Sequence, residues 1–362
     1  MKDLKHYSVD GISPTKMVSP SSIDELSSTL FSLNQDHFGV IPFSGCTRIH
    51  IGNIPTRYDV ALDLSSMPEF IDHQPGDLTL VTTANMSVAS IDHLLYESGQ
   101  RLPFTVTSKE KATIGGSVAS NAHGDLQSSL GGIRDWILGM QVLLPNGDIT
   151  KTGGNVVKNV QGYDLHRLHT GAFGTLGIIT QLSFKLLPIP SNIQTLAVWF
   201  DNSQEAMALA TEIFGASSVP EAFSLFVGKP SLEAASKLGI PNLVDANFLI
   251  LTRFSGIELA VNRQIDNLIG TIKSSGAMHY QVVESPESES LWVHLSKYQD
   301  RLECAVKANF KPANSFLFLE DLLKLNDTSS LSGHIQAGYG SVFAGCEKYP
   351  DFPSTRFAKN IF

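Results

Sequence analysis

Cysteine is scarce: Cys46, Cys304 and Cys346 are the only three in 362 residues, odd in number and far apart. That spacing fits neither a disulfide framework nor the ligand set of a zinc or iron–sulphur centre, so no metal cluster is expected on the chain's own thiolates. Basic residues are also few, 26 Lys and Arg against 35 Asp and Glu, for a formal charge of -9. With no Lys/Arg block, the chain lacks the electrostatic footprint of nucleic-acid binding. No apolar run reaches the roughly 18 residues of a membrane span. The opening "MKDLKHYSVDGISP" lacks the apolar core of a signal peptide, and the expected address is the cytoplasm. Neither G-x-G-x-x-G behind a first strand nor G-x-x-x-x-G-K-[ST] occurs. A Rossmann dinucleotide fold and a P-loop nucleotidase are therefore poor readings.

What is present reads as an α+β protein of two or three domains, 42% hydrophobic with a mean hydropathy of +0.03. "KMVSP", the helix "SSIDELSSTLFSLNQ", "FGVIPFSG" and "DVALDLSSM" give strand, helix, strand, strand over 17–70, with Ser22 as cap and Glu25 three residues on. From 78 to 190, "LTLVTTANM", "WILGMQVLLPNGDITKTGG" and "LGIITQLSFKLLPIP" predict a mostly antiparallel sheet with the turn "PNG" at 145–147. The two prolines of "LLPIPSN", 186–192, mark a boundary. Beyond it, helices over "SQEAMALATEIFG" and "IELAVNRQIDNLIGTIKSSG" alternate with strands, including runs near 278–284, 305–310 and 333–344, which implies a helix-covered antiparallel sheet. "ESPESES", 284–290, reads as an acidic loop.

Four segments combine small residues with an adjacent apolar strand: "PFSGCTRIHIG" (42–52), "ATIGGSVASNAHG" (112–124), "GGIRDW" (131–136) and "TGAFGTLGIIT" (170–180). Any one alone reads as a tight turn. Together they suggest backbone brought close to an anionic ligand, because free amides in such turns form nests able to match a diphosphate.

The order and spacing of these segments resemble the FAD-binding domain of the vanillyl-alcohol oxidase/p-cresol methylhydroxylase (PCMH-type) flavoproteins. The run from "GDLTLVTTANM" to "LLPIP" is most similar to the FAD-binding subunits of bacterial glycolate oxidases. The resemblance is strong over 40–190 and weak after it. It implies a PCMH-type FAD-binding domain over 1–190, in two α+β subdomains (about 17–70 and 71–190), and a smaller α+β cap with an antiparallel sheet over 191–362. It also implies noncovalent FAD, since Thr47 stands where histidyl-linked relatives carry histidine. Ser44, Gly45, Cys46, Thr47 and Arg48 would form the diphosphate loop, with Cys46 expected on its packed side. Thr113, Gly115, Gly116, Ser117, Ser120, Asn121 and Gly124 would form the second wall. Gly174, Gly177 and Ile179 would close the adenine end, and Lys158, Asn159 and Tyr163 would lie near the isoalloxazine ring.

In metal-dependent relatives part of the catalytic site reads H-x-G-D-G-N-x-H. The matching stretch is "QAGYGSVF", with Gln336, Tyr339 and Phe343 at the His, Asp and His positions, so no metal is expected. His334 lies two residues upstream on the same strand face as Gln336 and reads as structural. Arg134, Arg253 and Arg301 are candidate carboxylate clamps, and His294 with Tyr298 has helical i, i+4 spacing. None of these yields a catalytic base. The resemblance implies oxidation of a 2-hydroxy acid, glycolate or D-lactate, with electrons passed to a larger metal-bearing FAD catalytic subunit and an iron–sulphur subunit. Membrane association would be peripheral, through that complex. Two alternatives stay open: a self-sufficient FAD oxidase or dehydrogenase of a hydroxy acid, alditol or lactone, and a scaffold that has lost FAD.

Overall fold

A computed structural model describes residues 4–122, 124–154, 163–215, 218–241, 243–302, 304–325 and 332–346. The chain divides into two units, Met1–Gly124 with Gly132–Ile189, and Asp125–Gly131 with Pro190–Phe362. The crossing at 189–190 falls inside the proline-bearing stretch. The excursion at 125–131 has no compositional mark.

The first unit opens with β1 (Lys16–Val18), α1 (Ile23–Gln35), β2 (Val40–Phe43) and β3 (Val60–Asp63), the strands forming a parallel sheet in the order β1-β3-β2. Central β3 is buried at every position, its apolar Val60–Leu62 covered on both faces and its Asp63 carboxylate accepting from the Tyr7 hydroxyl at 2.6 Å. α1 buries Leu26, Leu30 and Leu33 at helical spacing, each contributing about 1.5–3 kcal/mol of transfer free energy. Ser22 Oγ accepts from Glu25 N, but the Glu25 carboxylate returns to Ser21 N at 2.7 Å rather than to the cap residue, one position off the reciprocal capping box. β4 (Ile71–Gln74), β5 (Thr79–Thr83), β6 (Ile137–Leu143), β7 (Ile149–Gly153) and β8 (Ile178–Lys185) build a five-stranded antiparallel sheet in the order β4-β5-β8-β6-β7. The "PNG" turn joins β6 to β7, with Gly147 at φ 85°.

The second unit is a seven-stranded antiparallel sheet. Its strands are β9 (Asn192–Phe200), β10 (Ala222–Val227), β11 (Phe248–Gly256), β12 (His279–Glu284), β13 (Cys304–Asn309), β14 (Ser332–Gln336) and β15 (Ser341–Cys346). Their spatial order is β12-β9-β11-β10-β14-β15-β13. One face packs Leu196, Phe200 and Phe254 under the helices Ser203–Gly215 and Glu258–Ile272. The other packs Trp199, Phe226 and Leu249 with Trp292 and Tyr298. Two expectations change here. The run at 333–344 is a hairpin, not one strand, because Gly340 takes φ 85° in the turn. The acidic "ESPESES" stretch contains the start of a helix, Glu287–Ser296, whose first-turn acids Glu287 and Glu289 suit the positive end of the helix dipole. With these changes the molecule is the α+β arrangement the sequence implies, a first unit with a parallel and an antiparallel sheet and a second unit built on an antiparallel sheet.

Candidate functional site

Within the first unit a cleft of about 170 Å³, open to solvent, is lined by 26 residues. Three stretches form its walls: 42–49 after β2, 113–120, and 173–180 leading into β8. Twelve of the residues singled out above line it: Ser44, Gly45, Cys46, Thr47, Arg48, Thr113, Gly115, Gly116, Ser120, Gly174, Gly177 and Ile179.

The small residues have measurable reasons. A Cβ on Gly45 would sit 1.8 Å from Lys111 O, so only glycine lets the 44–48 loop lie against the neighbouring backbone. A Cβ on Gly115 would fall 2.5 Å from Ala84 Cβ and 2.8 Å from Ala84 O. Cys46 follows Gly45 at φ 56°, a left-handed turn uncommon outside glycine. Contrary to expectation, Cys46 is exposed on the cleft side rather than on the packed side of the loop. Its thiol donates to Ser44 O at 3.2 Å, and partial desolvation pushes its pKa up.

The 113–122 wall uses its amides internally. Ile114 N donates to Met86 O, Gly115 N to Ala84 O, Gly116 N to Thr113 Oγ1, Ser117 N to Thr113 O and Ser120 N to Gly116 O, all at 2.8–3.2 Å. It therefore offers a flat, close surface more than an anion nest. In the 44–48 loop the amides of Gly45, Cys46 and Thr47 donate to no protein acceptor among the described residues. Ser44 Oγ is buried there without a partner among them.

Other predicted residues lie elsewhere. Ser117 is buried and donates to Thr113 O at 2.8 Å. Asn121, at φ 45°, packs its Cβ region against Gly171, and Gly124 abuts Thr105. None of the three lines the cleft. Tyr163 is 89% exposed and is not a lining residue. Lys158 and Asn159 lie outside the described residues. Sequence reasoning missed Met67, Pro68, Thr83 and Asn85, which line the cleft from loops and strand ends with no glycine to signal them, and did not name Phe173 and Thr180 within the glycine-marked 170–180 segment. Asn85 is held by donating to Met67 O at 2.7 Å.

In the second unit the candidate catalytic side chains are engaged. His334, 1% exposed, places Nε2 2.9 Å from Asp125 Oδ1 and 3.0 Å from Ser224 Oγ, and its ring stacks on Phe226 at 4.3 Å. Ser224 Oγ donates to the same Asp125 oxygen at 2.8 Å. Burial alone would raise the Asp125 pKa, but His334, Ser224 and Arg253 outweigh it and hold the carboxyl below its ordinary value. Arg253 pairs with Glu221 at 2.8 Å and Arg301 with Glu233 at 2.8 Å. His294 is half exposed near Glu233, whereas Tyr298 is buried, so the two do not line one cavity. Gln336 is buried opposite Ser224 and Ser341, Tyr339 lies in the hairpin turn, and the Lys307 ammonium lies over the Phe343 ring. Among the described residues no group of three or more His, Cys, Asp or Glu is placed to hold a metal ion. Arg134, in the first unit, is an exposed side chain beside Asp135.

The fold is that of the PCMH-type flavoenzymes, and the match to the sequence profile of the FAD binding domain covers residues 14–153. It is 28% identical over 277 residues to glycolate oxidase subunit GlcD of Bacillus subtilis, covering 76% of this chain and 58% of that protein. Glycolate oxidase subunit GlcE of Escherichia coli is 35% identical over 130 residues, 36% of this chain and 37% of that one. The chain thus spans about half the length of the curated relatives it matches. A solved p-cresol methylhydroxylase with substrate bound superposes with a TM-score of 0.72 over 95% of this chain and 77% of that one, at 15% identity, a likeness of fold. Among the described residues no helix is long and apolar enough to cross a membrane.

The cleft fits FAD. Its lining is mostly apolar, as a flat ring system requires, and the available donors, three amides and the Ser44 hydroxyl, are gathered on one loop where a diphosphate would need them.

Proposed function

We propose that this chain binds FAD noncovalently and takes part in oxidising a 2-hydroxy acid, glycolate or D-lactate, with electrons passed to partner subunits. The partners would be a larger metal-bearing FAD catalytic subunit and an iron–sulphur subunit. When bound, FAD supplies a two-electron acceptor. On this reading the loop 44–48 holds the diphosphate, Thr113, Gly115, Gly116 and Ser120 give the ring a close wall, and Gly174, Gly177 and Ile179 flank the nucleotide.

The observation that carries the proposal is the cleft of the first unit. The similarity to glycolate oxidase subunits and to D-lactate dehydrogenases supplies the substrate class. Dependence on partners is supported by the second unit, where His334 and Arg253 are buried against Asp125 and Glu221. A hydroxy acid brings a carboxylate beside a developing alkoxide, and among the described residues neither His334 nor Arg253 is turned to that charge.

The test is direct. Purified chain should carry flavin that acid releases into the supernatant. With an artificial acceptor it should oxidise glycolate or D-lactate slowly or not at all, indifferent to chelators, and gain activity when the partner flavoprotein is added. Flavin retained on the precipitate would reject the noncovalent mode, and a chain that takes up no FAD would reject the cofactor. Fast turnover by the chain alone would reject the partner-dependent role.

A further inference from the structure

Strand β12, His279–Glu284, ends the seven-stranded sheet of the second unit and among the described residues pairs only with β9. Ser285 N donates to Ile193 O at 3.2 Å, which fixes the phase of that ladder. Opposed residues of an antiparallel pair alternate between exchanging both backbone bonds and exchanging none. Val283, Gln281 and His279 therefore turn their backbone groups to β9, and Glu284, Val282 and Tyr280 turn theirs away. Those three N–H and three C=O groups meet no hydrogen-bond partner among the described residues. The edge also lacks the usual defences: 279–284 holds no proline, lysine or bulge, and Tyr280 and Glu284 are exposed. An open edge of this kind is a template for another strand.

The strand that fits it best is the same strand of a second copy. The three outward residues are placed symmetrically about Val282, so a two-fold axis there sets Val282 opposite Val282 and Tyr280 of each chain opposite Glu284 of the other. All three outward positions are then used, for six backbone hydrogen bonds, and a phenol that can donate faces a carboxylate that accepts. Neighbouring positions of the axis do worse. At Gln281 it sets Glu284 opposite Met278, whose N–H already donates to Trp199 O at 2.9 Å; at Val283 it sets Tyr280 opposite Pro286, which has no N–H. We propose that β12 is a dimerisation edge, along which two copies of this chain pair antiparallel and join their second-unit sheets into one. The contact is isologous, and it is independent of the cleft and of FAD. A six-residue pair alone buries less than the roughly 1,000 Å² of a stable interface, so the dimer dissociates on dilution.

Sedimentation velocity on the full chain across about 1–100 μM should show monomer passing into dimer. Val282→Pro removes an outward N–H that β9 does not use, a place where an edge strand tolerates proline, and should stay monomeric throughout. Tyr280→Glu sets two like-charge pairs against Glu284 and should weaken the dimer about tenfold, whereas Tyr280→Lys sets two opposite-charge pairs and should not weaken it. A wild type that is monomeric at every concentration overturns the proposal, and so does a dimer that Val282→Pro and Tyr280→Glu leave at wild-type strength. Should Val282→Pro melt early, Val282→Cys decides. On the axis the two substituted Cα atoms would lie about 5.5 Å apart, within disulfide range, so copper phenanthroline in air should cross-link them. A covalent dimer on a non-reducing gel, absent from wild type treated alike, supports the proposal; none beyond wild type overturns it.

Discussion

The two units handle polar groups in opposite ways. In the first, the amides of Gly45, Cys46 and Thr47 meet no protein acceptor among the described residues, at the edge of an open, mostly apolar cleft. In the second, Asp125, Ser224 and His334 satisfy one another inside the unit, and Arg253 is matched by Glu221. A polar group available to a ligand and one engaged in the fold look alike in sequence. They differ only in what the chain has folded against them, and the difference separates a binding site from a structural lock.

The largest expected effect lies in the lock. Asp125→Ala leaves His334 Nε2 and Ser224 Oγ buried without the carboxylate they share, and each such unsatisfied buried group costs about 1–3 kcal/mol. Urea unfolding followed by tryptophan fluorescence, with Trp199 and Trp292 both in this unit, should show it; a loss under about 1 kcal/mol, the worth of a surface pair, would mean the network does not hold the unit together.

Next in size is Gly115→Val, whose branched side chain would collide with Ala84 backbone and cost about 1–3 kcal/mol or more. Gly116→Val sharpens the contrast. There a Cβ would meet only Thr113 Oγ1 at 3.0 Å, so the fold should survive within about 1 kcal/mol while FAD uptake is lost. Normal flavin content in that variant would remove the 113–120 wall from the site.

A pH series separates the units again. The Asp125 carboxyl is held below its ordinary value in the folded state, so its contribution is present above the unfolded value, about pH 3.9. It is lost as pH falls through the lower folded value. Melting temperatures of Asp125→Asn should therefore fall less steeply in acid than those of wild type; parallel curves would assign the acid sensitivity to other carboxyls. The smallest effect belongs to Cys46→Gly. It removes a left-handed non-glycine residue but frees the unfolded chain, and the two terms should cancel to within about 1 kcal/mol, as thermal melts would show.

Much of the fold was legible because it rests on local pattern. Leu26, Leu30 and Leu33 at helical spacing, the uninterrupted "VALD" of β3 and the "PNG" turn each report a backbone state from a few neighbouring residues. The hairpin at 332–346 was less so, since "AGYG" turns only because Gly340 can take φ 85° between two strands of similar composition. In the site, the glycine-marked walls could be read from sequence. Met67, Pro68 and Asn85 could not, because they reach the cleft from the loop after β3 and the end of β5, without any spacing of their own.

The sequence by itself determined the α+β class, the small-residue segments and the absence of an intact metal motif, since each is a property of residue type and short-range spacing. Only the tertiary structure decided which of those segments keeps its amides available, that Cys46 faces the cleft, and that His334 is matched to an aspartate more than two hundred positions away. These outcomes depend on which distant backbone or side chain occupies the adjacent space. No local pattern records that, because hydrogen bonds and ion pairs are settled by proximity in the fold and not by order along the chain.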